Sequence, residues 1–247
     1  MKGDLSVQVR GVERSFGNLH VLRGVDLDVH VGELVALYGP SGSGKTTLIN
    51  LIGALDRPDA GQITVLGQDI VRLNDARRAK LRRTRIGFVF QSATLLPTYS
   101  ALENIDLALR LPGLHYFERR RRARAALAAV GLTAWADHMP EELSGGQRQR
   151  VAIARALALQ SHLILADEPS SGLDTAAVRR ILALFRGIAA AEDTTFVIVS
   201  HDPMIVEFVD TVYDLLDGKV IRRSTASQID TTESQPEDAL CLEQPEN

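Results

Sequence analysis

Residues Gly39, Pro40, Ser41, Gly42, Ser43, Gly44, Lys45, Thr46 and Thr47 follow the apolar run "LVALY" and lead straight into a helical pattern. No other stretch limits the fold as tightly. The spacing G-x-x-x-x-G-K-T between a buried strand and a helix start is that of a phosphate-binding loop, or P-loop. Glycines let successive backbone N–H groups converge on a phosphate, and the helix start adds the positive end of its dipole. Lys45 supplies a point charge for the terminal phosphates, and the Thr46 hydroxyl is a ligand for Mg²⁺. A Gly-Ser turn before a surface lysine is the plainer alternative, and it leaves the flanking strand and helix unexplained. The chain is expected to bind a nucleoside triphosphate.

A P-loop needs a parallel sheet to stand on, and the sequence supplies its strands. "IGFVFQ", "HLILADE" and "TTFVIVSHD" are nearly continuous apolar runs, the pattern of strands covered on both faces, and helical stretches separate them. The opening "LSVQVRGVERSF" and "HVLRGVDLDVHVGELVALYG" instead alternate apolar with polar residues, as half-buried antiparallel strands do. Residues from about 93 to 159 read as mostly helical and form an insert. The expected fold is α/β: a P-loop NTPase core with a mostly parallel sheet, an N-terminal antiparallel β layer and an inserted helical subdomain. "LILADEP" delivers Asp167 and Glu168 to the C-terminal end of a strand, where ligands of open α/β sheets bind. Asp167 is placed for Mg²⁺ and Glu168 for the attacking water as general base. One of these acids could cap a turn, but two beside a P-loop are not both accounted for in that way.

A second anion site lies far from the first. In "ELSGGQRQR", Ser144, Gly145, Gly146 and Gln147 stand directly before the helical run "VAIARALAL", and a helix start with glycines is an anion site in its own right. A plain helix N-cap would explain Ser144. It leaves Gln147 and the duplicated phosphate chemistry without a reason.

With the P-loop, "LADE" and "LSGGQ" together, the chain resembles the ATP-binding subunit of an ABC transporter over nearly all of residues 5–223. The resemblance implies ATP and Mg²⁺ as bound groups, with Gln91 of "FVFQ" sensing the metal and the attacking water. It implies that Asp174 of "SSGLD" links two ATP sites and that His201 of "VIVSHD" contacts the γ-phosphate. Phe16 of "ERSFGN" falls where the family stacks an aromatic ring, usually tyrosine, on adenine; its alternative is a core residue at a strand end. Two such chains, copies or close paralogues, face each other head to tail, so that each ATP lies between the P-loop of one and the signature loop of the other. That arrangement would explain two phosphate loops in one chain. An integral membrane permease subunit is the further implied partner, which places the chain at the cytoplasmic face of the cell membrane.

The segments "LIGALDRPDAG", "IGFVFQSATLLPTYSALENI" and "ADEPSSGLD" look like the lipoprotein-releasing and macrolide-efflux group. A cell-envelope regulator of the cell-division type, which moves no substrate, shares the architecture. A soluble ABC protein acting on ribosomes or DNA would need two cassettes or a long coiled coil, and neither is present in the sequence.

Composition narrows the rest. One cysteine, Cys241, allows no intrachain disulfide and fits a reducing compartment. Neither a signal-peptide pattern nor an apolar run long enough to span a bilayer is seen. The net charge is −3, yet six acids and no base follow Arg223, which leaves residues 1–223 at +3. Residues 1–223 are expected to be the ATP-binding domain and 224–247 an acidic, disordered tail. Basic runs at 77–85 and 118–127 have no interleaved aromatic residues for stacking bases, so they are taken as solvated helix faces and no nucleic-acid partner is expected.

Overall fold

The computed structural model of the chain describes residues 4–225. Strand β1 (Leu5–Phe16), β2 (Leu19–His30), β3 (Leu34–Tyr38), helix α1 (Lys45–Ile52), β4 (Ala60–Val65), β5 (Gln68–Asp69), α2 (Asp75–Arg85) and β6 (Ile86–Val89) come first. Helices α3 (Ala101–Arg110), α4 (Tyr116–Ala129) and α5 (Gly145–Ala158) lie between β6 and β7 (Leu163–Asp167). Helix α6 (Thr175–Glu192), β8 (Thr195–Ser200), β9 (Thr211–Leu216) and β10 (Lys219–Thr225) complete the described chain. Strands β9, β3, β8, β7 and β6 are parallel neighbours in that order, and β10 adds an antiparallel edge. The second sheet is antiparallel, in the order β2-β1-β4-β5. This is the α/β architecture expected from the sequence.

Every residue of β7 and β8 is buried, because alternate side chains enter two different cores. Leu34, Ala36, Ile164, Ala166, Phe196 and Ile198 pack with α6 and the inserted helices. Their neighbours Val35, Leu37, Leu163, Leu165, Val197 and Val199 pack with α1 and the antiparallel layer. A period of two thus fills both faces of one sheet with a single apolar run.

The β9–β10 hairpin was not anticipated from sequence, although "LLDGKV" carries its mark. Asp217 and Gly218 both have positive φ, 48° and 76°, as the two-residue turns favoured in hairpins require. This turn braces the P-loop. The Gly218 amide donates to the Ser43 carbonyl at 3.2 Å, and Arg23 donates its amide to the Gly218 carbonyl at 2.9 Å. The hairpin also claims the first two residues of the expected acidic tail, since Ser224 and Thr225 pair with Val212 and Thr211. The rest of that tail lies outside the described residues.

The basic run at 77–85 is only partly a solvated face. Arg78 is buried and donates to the carbonyls of Ala54 and Asp56, and Arg82 donates to the Ala54 carbonyl at 2.6 Å. In the helical insert, α3 begins with a capping box: Ser100 Oγ accepts from the Glu103 amide at 3.3 Å and Glu103 Oε2 from the Ser100 amide at 2.8 Å. Ser100→Ala is expected to cost about 1 kcal/mol, measured as a lower denaturant midpoint at constant slope. No change in midpoint would show that the cap is dispensable. The loop before α3, which carries Gln91, is tied to α5. Gln149 Nε2 donates to the Phe90 carbonyl at 3.3 Å, and Arg155 donates to the carbonyls of Ala93 and Thr94 at 3.1 and 2.8 Å.

Candidate functional site

The P-loop leaves β3 through Gly39 and enters α1 after Gly44, and both glycines are sterically required. A Cβ on Gly39, at φ 151°, would lie 2.1 Å from the Leu215 carbonyl oxygen. One on Gly44, at φ 103°, would lie 2.8 Å from a Leu22 methyl. Between them the chain folds Lys45 back over the loop, where Nζ donates to the carbonyls of Gly39 and Pro40 at 2.8 and 2.7 Å. Burial pulls the Lys45 ammonium below its usual range, opposed by the nearby carboxylates of Glu168 and Asp167. The lysine's hydrogen bonds over the loop thus go to neutral carbonyls, and a phosphate would satisfy its charge better.

Strand β7 brings the Asp167 carboxylate within the influence of the Thr46 hydroxyl. Burial pushes the Asp167 carboxyl up, with Glu168 adding to this and Thr46 and Lys45 opposing it. Asp167 Oδ1 is buried and has no hydrogen-bond partner among the described residues, and neither has Ser43 Oγ in the loop. A buried, orphaned carboxylate oxygen next to a threonine hydroxyl is a hard-oxygen set that fits Mg²⁺. Glu168, at φ 48°, sits in the left-handed region that non-glycine residues rarely adopt. Its amide bonds the Val199 carbonyl at 3.0 Å, and its Oε1 lies 2.7 Å from His201 Nδ1. His201, at the end of β8, is mostly exposed, whereas the Glu168 side chain is mostly covered.

These residues share one opening. Pro40, Ser41, Gly42, Gly44, Lys45, Thr46 and Thr47 line a cleft of 650 Å³ with Gln91, Glu168 and His201. Gln91, Glu168 and His201 also line the adjoining cleft of 510 Å³, which runs toward Ser170, Ser171 and Gly172. Sequence reasoning passed over Leu19 and Val21, which form the apolar wall of the first cleft. Motifs could not find them, because their place depends on how the β1–β2 hairpin folds over the P-loop. Phe16 lies at the tip of that hairpin, half exposed, so it is not a core residue. It lies outside both cleft linings, and one ring face is taken by the Arg14 guanidinium, 4.7 Å from the centroid. Asp56 and Asp59 hold Arg14 in place, each at 2.7 Å.

The signature residues stand apart from this cleft. Ser144 caps α5: its Oγ accepts from the Gln147 amide at 3.2 Å, and Gln147 Oε1 accepts from the Ser144 amide at 2.8 Å. The capping box therefore gives Gln147 a local role that a plain N-cap at Ser144 does not supply. Ser144 and Gly145 are exposed, and they line neither cleft. A Cβ on Gly146 would come within 2.8 Å of the Gly172 carbonyl oxygen, so the signature turn packs against the loop that ends at Asp174. Asp174 caps α6, its Oδ1 accepting from the Ala177 amide at 2.8 Å.

A family model described as ABC transporter matches residues 22–171. The chain is 43% identical to the lipoprotein-releasing system ATP-binding protein LolD of Bacteroides thetaiotaomicron, over 87% of this chain and 98% of that one. It is 42% identical to the macrolide export ATP-binding/permease protein MacB of Chromobacterium violaceum, over 94% of this chain but 37% of that longer one. Among solved structures it superposes on the ATP-binding cassette MJ0796, a dimer in a post-hydrolysis state bound to ADP and Pi. The TM-score is 0.85 at 38% identity, covering 89% of this chain and 98% of that one.

Proposed function

The chain belongs to the ABC transporter ATP-binding proteins, and from that premise we propose that it is the ATP-hydrolysing subunit of a transporter of the lipoprotein-releasing or macrolide-export kind. In this reading two copies, or the chain and a close paralogue, close head to tail around two ATP molecules. Their closing and opening drives an integral membrane subunit at the cytoplasmic face. One observation carries it: the P-loop, Glu168, Gln91 and His201 share one cleft, while the exposed start of α5 lines no part of it. Each chain then holds two half-sites that only a second copy completes.

Within one site, Phe16 would stack on adenine with its free face, and the P-loop amides would wrap the phosphates. Lys45 would release the Gly39 and Pro40 carbonyls and turn to the terminal phosphates. Thr46 and Asp167 would hold Mg²⁺, which when bound neutralises phosphate charge. Glu168, aided by Gln91, would orient a water and take its proton as the water oxygen attacks the γ-phosphorus. The bond to the bridging oxygen then breaks, and ADP carries that oxygen away. His201, already touching Glu168, would reach the γ-phosphate. The amides of Gly145 and Gly146 of the second copy, with the α5 dipole and Ser144, would meet the same phosphate from the other side.

The membrane subunit has a suitable seat in a cleft of 430 Å³ floored by Ile86, Phe88, Phe90 and Leu159 and edged by Arg82 and Arg83. This lining suits a short amphipathic segment with acidic flanks. None of the described helices is long and apolar enough to cross a membrane, so crossing would fall to that partner. Affinity purification from membranes in mild detergent is expected to recover an integral membrane permease whose presence raises ATP turnover. Recovery of a membrane protein that governs an envelope hydrolase would favour the regulatory alternative. Recovery of ribosomes or no membrane protein would overturn the transporter reading.

A further inference from the structure

The second basic run and the apolar residues just before it take no part in the nucleotide site. Between α3 and α4 the chain turns through Pro112 and Gly113, and Leu111, Tyr116 and Phe117 are left 64%, 52% and 75% exposed. Tyr116 and Phe117 meet edge to face at 5.5 Å, and His115 stacks on Phe117 at 5.9 Å. Five arginines follow (Arg119, Arg120, Arg121, Arg122 and Arg124) against one acid, Glu118. Glu118 pairs with Arg121 and Arg122 at 2.8 and 2.6 Å, and the buried Asp106 pairs with Arg119 at 3.1 Å. Arg120 and Arg124 have no ion-pair partner among the described residues. Helical spacing puts Phe117, Arg120 and Arg124 on one side of α4. Leu111 also lines the cleft assigned above to the membrane subunit, so the patch adjoins it.

We propose that this turn and the start of α4 form a contact surface for the anionic lipid headgroups of the membrane that holds the partner subunit. A solvated helix face would explain the arginines but not three large apolar side chains exposed beside them. Exposed aromatic rings beside this turn suit the depth of a lipid interface, and unpaired guanidinium groups suit lipid phosphates. The turn exposes its apolar side chains to solvent, whereas the neighbouring cleft already offers the concave, apolar surface a protein segment needs. The transporter reading enters only in choosing the side of the molecule, so lipid binding can fail while partner docking stands.

The test is flotation of the purified full chain with vesicles of phosphatidylcholine alone or of equal parts phosphatidylcholine and phosphatidylglycerol. Partition into the anionic vesicles is expected, falling as salt rises, with little into the neutral ones. Arg120→Gln with Arg124→Gln should lower that partition about 25-fold, at about fivefold per arginine, and Phe117→Ser should lower it several-fold, while ATP turnover stays unchanged. Equal binding to both vesicle types, no binding by the unaltered chain, or unchanged partition of the variants would overturn the proposal. So would variants that keep lipid binding but lose the membrane subunit in detergent, because a protein would then occupy the patch.

Discussion

Glu168→Gln is expected to bind MgATP as well as the unaltered chain does and to turn it over at least a hundredfold more slowly. The amide keeps the size of the carboxylate, and the strained backbone at φ 48° is held by the Glu168 amide bonded to the Val199 carbonyl, which the substitution leaves in place. His201 Nδ1, 2.7 Å from Glu168 Oε1, can still be bonded by the amide oxygen. What is lost is the group proposed to take the proton from water, a role worth about 10² to 10⁴ in rate. A chain that binds ATP and cannot consume it should gather as the closed dimer, seen as an ATP-dependent doubling of mass in size-exclusion chromatography with light scattering. Turnover within about threefold of the unaltered chain would remove Glu168 from the base role.

What the sequence made legible was local. The P-loop, "LADE" and "LSGGQ" are contiguous segments whose chemistry depends on neighbours a few residues away, and strand burial followed from unbroken apolar runs such as Leu163–Ala166. What escaped depended on contacts between distant segments. The Asp217-Gly218 turn is a plain hairpin signal, but its packing on Ser43 joins residues far apart in sequence. Arg14 looks like one more strand arginine until Asp56 and Asp59 hold it over Phe16. Arg78 sits in a run that reads as solvated, yet two carbonyls after α1 draw it inside. Gln147 shows the converse: a residue read from sequence as part of a signature motif closes a local capping box at its helix start.

A dimer pairing a Lys45→Ala chain with a Ser144→Arg chain is expected to retain one intact ATP site. Lys45→Ala removes the charge proposed to meet the terminal phosphates. Ser144→Arg puts bulk at an exposed helix start, where the lost cap costs only about 1 kcal/mol of stability. With the sites shared between chains, both defects fall in one site and leave the other untouched. Placing both substitutions in one chain opposite an unaltered partner should instead spoil both sites. Hydrolysis could need both sites and so be silent in each case. The measurement is therefore the nucleotide trapped per dimer in differently tagged, purified heterodimers. The account predicts one trapped nucleotide when the substitutions lie in separate chains and none when they share a chain. A trapped nucleotide only when they share a chain would mean that each P-loop is served by its own signature helix, and the two-chain site would be wrong.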